Sequence, residues 1–180
     1  MIPLPLKPKE LVAIYVVGIV LMLAYTAVTP GPEGINNTSL ENKIEGEIND
    51  ARAAEGIPPL ADSQPLGRQA RSYSKEQAQN DFIGHDSPVS GPMSNRIACT
   101  PAAENINTAY YVQEFIDDGG NRQFLDNETE VAAYIVESWL ASPGHRSNIM
   151  DSRFGTQGVG VNVTEQDGDT YVIVTQQLCG

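Results

Sequence analysis

The sequence predicts an α+β domain that lies after an N-terminal transmembrane helix. Three observations carry that expectation: a long apolar run near the start, helical periodicity through the first half of the remaining chain, and two β-branched segments flanking an Asp-Gly turn at the end. Helices first, an irregular middle, another helix and a closing antiparallel hairpin argue for α+β rather than an alternating βαβ chain.

Leu11 to Val28 contains no charged residue and no proline. At about 1.5 Å per residue it nearly crosses a hydrocarbon core of about 30 Å. Lys7 and Lys9 precede it and no basic residue appears again until Lys43. The positive-inside tendency then leaves residues 1–10 in the cytoplasm and the remainder outside the cell. A cleaved signal peptide is the rival, with Ala24-Tyr25-Thr26 a weak cleavage site. It would leave the domain secreted, but the length of the run favours an uncleaved anchor over residues 11–28. Residues 29–38 are rich in Pro and Gly and read as a linker. The folded domain is expected over 39–180.

Thr38-Ser-Leu-Glu41 reads as a capping box, and Leu40, Ile44, Ile48 and Ala51 recur at helical spacing until Gly56 and Pro58 stop the helix. A second helix is expected from Ser63, with Pro65 in its first turn. It carries Leu66, Ala70, Tyr73 and Gln77 on one side and ends near Phe82-Ile83-Gly84. Residues 85–127 read as irregular. A third helix over about Glu128 to Leu140 aligns Val131, Ile135 and Trp139. Gly158 to Val163 and Thr170 to Leu178 are the expected strands, joined at Asp167-Gly168.

With 11 Lys+Arg against 23 Asp+Glu, the formal net charge is -12. Such a field repels phosphate backbones and disfavours nucleic-acid binding. An acidic, lysine-poor surface suits a protein working in high salt, and equally a mildly acidic secreted domain. The two cysteines, Cys99 and Cys179, have no CxxC spacing, which excludes a thiolate zinc site. They are a pair in an oxidising compartment or two buried thiols. Sequons at Asn36, Asn37, Asn127 and Asn162 mark sites open to glycosylation where the compartment supports it.

The chain has two histidines, His85 just past a helix end and His145 in Ser142-Pro-Gly-His145-Arg146. Glu104 stands among small and apolar neighbours in Ala103-Glu104-Asn105-Ile106. Two imidazoles and a carboxylate are a ligand set for zinc or another divalent cation. Spacing alone does not join these three residues.

Five segments resemble, in order, motifs of the CAP superfamily, the SCP-like cysteine-rich secretory, antigen 5 and pathogenesis-related proteins. They are Ile48-Asn-Asp-Ala-Arg52 through Leu60, Phe82-Ile-Gly-His85-Asp-Ser-Pro88, Ala103-Glu104-Asn105-Ile106, Trp139-Leu-Ala-Ser-Pro-Gly-His145-Arg-Ser-Asn-Ile149, and the closing strands with Gly158-Val-Gly-Val161 and Tyr171 to Gln176. The resemblance is to the bacterial and archaeal type. It implies an α-β-α sandwich around a central antiparallel sheet, and a cleft where His85, Glu104 and His145 meet and in relatives hold a divalent ion. Ser142 stands where animal and plant members usually carry a second glutamate, so the full tetrad is missing. Ala103 replaces the usual Gly, which matters only at a positive φ. Arg146, Asn148 and Trp139 read as structural. The stretch 107–127, with Tyr110, Tyr111, Val112, Phe115 and Phe124 beside a Gly119-Gly120 pair, reads as an insertion. Its aromatics either fold back on the core or wall the cleft.

Three functions compete. The first is an extracytoplasmic binding module that takes a lipid, glycan or protein ligand. The second is a metal-dependent peptidase or esterase with Glu104 as base. The third is a structural surface protein.

Overall fold

The computed structural model describes residues 35–111, 114–116, 122–166 and 168–180. The expected anchor over 11–28 and most of the linker lie outside the described residues, as do Val112, Gly119, Gly120 and Asp167. Among the described residues no helix is long and apolar enough to cross a membrane.

The first helix, α1, runs Asn37–Ala54, so it begins inside the stretch read as linker. Its cap is not the expected box. Asn36 is the N-cap and accepts from the Ser39 amide, while Glu41 faces inward to Arg71. The physical reason is tertiary: a carboxylate able to accept both Arg71 nitrogens gains more there than by closing a box at an exposed terminus. A two-residue strand, β1 (Ala61–Asp62), leads into α2 (Gln64–Gln79). Ser63 caps α2 with Pro65 in its first turn, as expected. The helix ends earlier than the apolar pattern predicts, because Asp81 takes φ 50 and the Phe82 amide bonds back to the Gln77 carbonyl. That is the left-handed helix stop that glycine usually supplies.

The stretch read as irregular contains three strands: β2 (Ala102–Tyr111), β3 (Glu114–Ile116) and β4 (Arg122–Phe124). Next come α3 (Glu128–Ala141), capped by Asn127, and a short α4 (Pro143–Ile149). The chain closes with β5 (Thr156–Gln166) and β6 (Asp169–Cys179). Gly168, at φ 93, sits in the turn between them.

The main sheet has the order β1-β5-β6-β2. The antiparallel expectation holds for β5-β6 and β6-β2, but β1 lies parallel to β5, so the sheet is mixed. β3 and β4 form a separate two-stranded sheet.

Side-chain alternation separates two faces. Val159 and Val161 of β5, with Val172 and Val174 of β6, join Leu40, Ile44 and Ile48 of α1 and Val131, Ile135 and Trp139 of α3 in one core. Each fully buried aliphatic side chain there contributes about 1.5–3 kcal/mol. On the other face α2 lies almost against the strands. A Cβ on Gly160 would stand 1.9 Å from the Arg71 nitrogen, and one on Gly158 would stand 2.2 Å from the Gly67 nitrogen. Ser74 of α2 donates to the Gly160 carbonyl and the Thr175 hydroxyl. The domain is thus a mixed sheet with helices on both faces. Cys99 and Cys179 are paired, tying the approach to β2 to the end of β6.

Candidate functional site

Glu104 projects from β2 on the face that α2 covers, opposite Gln177 of β6. Its side chain is 0% exposed. Burying a carboxylate without partners is expensive, and here both oxygens are held. Oε1 lies 3.1 Å from His85 Nδ1 and 3.1 Å from Arg96 Nη2. Oε2 accepts from Gln177 Nε2 at 3.1 Å and from Arg96 at 3.4 Å.

Arg96 is the anchor of this cluster. It comes directly after the 3-10 turn Met93–Asn95, and its Cζ lies 3.4 Å from the centre of the Tyr73 ring. Its two terminal nitrogens also donate to the carbonyls of Gly91 and His85, so one guanidinium fixes both the loop that carries His85 and the carboxylate beneath it. Tyr73 donates to the Gly84 carbonyl at 2.5 Å, and Gln77 accepts from the Gly84 amide. Farther along the loop, Ser87 and Ser90 donate to Glu76. The helix α2 thus holds the His85 loop at three points. His85 itself keeps 51% of its side chain exposed. With Nδ1 on Glu104, Nε2 is left free of hydrogen bonds among the described residues.

His145 reaches the same end of the sheet by another route. It sits in the first turn of α4, which Pro143 starts. Asn105 donates to the His145 carbonyl, and Asn148 donates to the Asn105 carboxamide and to the Glu104 carbonyl. From Asn105 a line of buried amides continues through Gln176 to Gln157 across the sheet. Such a fully bonded network rigidifies the strands and the helix that share it. Arg52, almost wholly buried in α1, holds the exit of α4 by donating to the carbonyls of Ile149, Asp151 and Phe154.

The charges act in opposite directions on the two histidines. The hydrogen bond to Glu104 holds the His85 pKa above the ordinary range, offset in part by burial and by Arg96. Burial pushes His145 down, and the nearness of His85 pushes it further. His145 is therefore pushed toward its neutral form and lies within electrostatic reach of His85. Among the described residues no group of three or more His, Cys, Asp or Glu side chains is placed to hold a metal ion. Glu104 is occupied on both oxygens by Arg96, Gln177 and His85.

Several sequence readings meet the structure here. Arg146 binds the Glu55 carboxylate at 2.8 Å, and Asn148 ties α4 to β2, so both are structural as read. Trp139 is fully buried and donates to the Ile106 carbonyl. Ala103 lies in β2 without a positive φ, so the missing glycine is harmless. Asn36 and Asn127 are N-caps. Arg96 and Gln177 were not legible beforehand, because an isolated Arg in a Gly/Pro/Ser-rich stretch and a Gln in a β-rich one carry no spacing signal. Two cavities of about 480 and 490 Å³ lie elsewhere, and neither is lined by His85, Glu104 or His145.

The fold of this mixed sheet with helices on both faces has a solved counterpart. The crystal structure of an extracellular protein containing an SCP domain, from Bacillus anthracis str. Ames, superposes with a TM-score of 0.59 at 26% identity, covering 79% of this chain and 41% of that one. Residues 46–178 match the cysteine-rich secretory protein family, CAP, and the chain belongs to it. Two proteins of Bacillus subtilis (strain 168) are similar in sequence. The uncharacterized protein YkwD is 26% identical over 137 residues, which cover 73% of this chain and 45% of that protein. The uncharacterized membrane protein YlbC is 28% identical over 130 residues, 69% of this chain and 32% of that protein. The chain thus spans less than half the length of either relative.

Proposed function

We propose that this domain is an extracytoplasmic binding module in which His85 and His145 together hold a divalent cation, zinc in the first instance, and present it to a ligand at the protein surface. The observation that carries the reading is the buried Glu104 carboxylate on His85 Nδ1. A carboxylate on one ring nitrogen fixes the tautomer that offers the other nitrogen to a metal, which is the usual outer-shell arrangement of ligating histidines. His145, within electrostatic reach of His85 and pushed toward its neutral form, would supply a second imidazole. Imidazole nitrogens are donors that a borderline cation accepts, and water or the ligand would fill its remaining positions. Bound there, the cation would supply Lewis acidity toward an oxygen-bearing ligand.

Glu104 in this reading orients and does not ligate. Its lack of exposure and its guanidinium partner also count against its serving as the base of a hydrolase. The anchor at 11–28 would tether the module to the membrane. The apolar run and the description of YlbC as a membrane protein support that tether.

Equilibrium dialysis of the full chain against zinc tests the site. One equivalent is expected for the wild type at pH 7.5, with most of the affinity lost in His85→Ala and in His145→Ala. No uptake by the wild type, or uptake unchanged in both variants, overturns the reading.

A further inference from the structure

A second site lies away from both histidines, at the outer end of the β2-β6 pair. Tyr110 and Tyr171 are register partners there, with ring centres 5.0 Å apart. With Phe82 and Ile83 after α2, and with Asp81 and Glu165, they line a cavity of about 490 Å³. Three features set this cavity apart from ordinary surface. Large exposed apolar side chains among the described residues are Ile83, Val89 and Tyr110, and two of the three line it. Its described lining includes two carboxylates and no Lys, Arg or His. Asp81 takes the left-handed position, φ 50, that ends α2, and from there it lines the rim of the cavity.

Aromatic faces attract cations, and carboxylates beside them supply the counter-charge. An anionic ligand is repelled by the same groups and by the net charge of -12. We infer that this groove docks a basic peptide segment, receiving an arginine or lysine side chain over the Tyr110 and Tyr171 rings with Asp81 and Glu165 as its ionic partners. The groove neighbours the metal-site loop, since Gln77 lines it and also accepts from the Gly84 amide. It uses none of the residues assigned to the cation.

Fluorescence anisotropy of the full chain, run without added zinc, tests this with a labelled hexapeptide carrying one arginine. A counterpart with citrulline at that position and a neutral oligosaccharide are the competing probes. The arginine peptide is expected to bind at least fivefold more tightly than the citrulline form. Tyr110→Ala, at an exposed position, should weaken it by about three- to tenfold, the range of a cation-π contact. Asp81→Asn and Glu165→Gln should each weaken it by about two- to fivefold at low salt, and by much less at 1 M salt. Equal affinity for the arginine and citrulline peptides overturns the inference. So does an absence of binding at millimolar peptide, or displacement of the peptide by the oligosaccharide with no effect of the two carboxylate variants. Because zinc is absent throughout, any of these results leaves the cation reading standing.

Discussion

Replacing Glu104 by Gln changes one atom at the point where the network is most constrained. The carboxylate accepts four hydrogen bonds, from His85, from Gln177 and twice from Arg96, and all of its oxygen surface is buried. An amide in its place turns one acceptor into a donor, which must face either Gln177 Nε2 or the His85–Arg96 side. It also leaves the Arg96 guanidinium, 7% exposed, without its counter-charge. Breaking a buried pair from one side typically costs about 3–5 kcal/mol. Gln keeps the shape and one acceptor, so a loss of about 2–4 kcal/mol is expected.

The pH dependence of that loss has a definite sign. The folded-state pKa of His85 is raised, chiefly by Glu104. Its share of the stability is therefore fully present below the unfolded histidine value and disappears as pH rises through the folded value. Urea unfolding of both forms at pH 5.5 and pH 8.5 reads the difference, and an NMR titration of His85 reads the cause. The wild-type advantage should be larger at pH 5.5, and the His85 pKa should fall in the variant. A variant as stable as the wild type, or a His85 pKa that does not move, would refute the assignment of Glu104 as the partner that holds His85.

Other outcomes are expected from the rest of the domain. Gly160→Ala places a Cβ 1.9 Å from the Arg71 nitrogen and 2.2 Å from the Ala70 carbonyl carbon, so α2 must lift from the sheet. A loss of at least about 1–3 kcal/mol in urea unfolding is expected, and less than about 0.5 kcal/mol would contradict the close approach. Removing the Cys99–Cys179 bridge by a double serine substitution opens a loop of 80 residues. That should cost about 4–5 kcal/mol in the chain-entropy account, read as a fall in the unfolding midpoint. Burial pushes the Glu45 carboxyl up to about 7 from 4.5, so the folded state holds the extra proton and stability falls as pH rises through that window. Glu45→Gln should flatten this part of the stability-pH curve by on the order of 1 kcal/mol, allowing for partial exposure. An unchanged slope would contradict the buried, proton-retaining environment.

Much of the helical layer was legible in advance. Val131, Ile135 and Trp139 share one face at i, i+4, i+8 and are fully buried, and Leu66, Ala70, Tyr73 and Gln77 are likewise buried along α2. The pattern failed where pairing partners are remote. Ala102–Tyr111 alternates poorly, because Ala103 to Ile106 are buried on both faces of β2 while its far end opens to solvent at Tyr110. β1 has two residues and exists only because β5 is beside it. At the site, two histidines and an acidic residue within family-like motifs drew attention. The pairing of His85 with Glu104 is long-range, and Arg96, which holds both, is specified by the folded loop rather than by any local signature. The Thr38–Glu41 box failed for the same reason: Arg71, thirty residues on, claims the carboxylate.

Crystals grown with zinc and measured at the zinc absorption edge place the cation by its anomalous scattering. One peak about 2.0–2.1 Å from an imidazole nitrogen of each of His85 and His145, with Glu104 still on His85 Nδ1, is the expected result. A peak bonded to Glu104, or full occupancy elsewhere with both imidazoles bare, would contradict the two-histidine site.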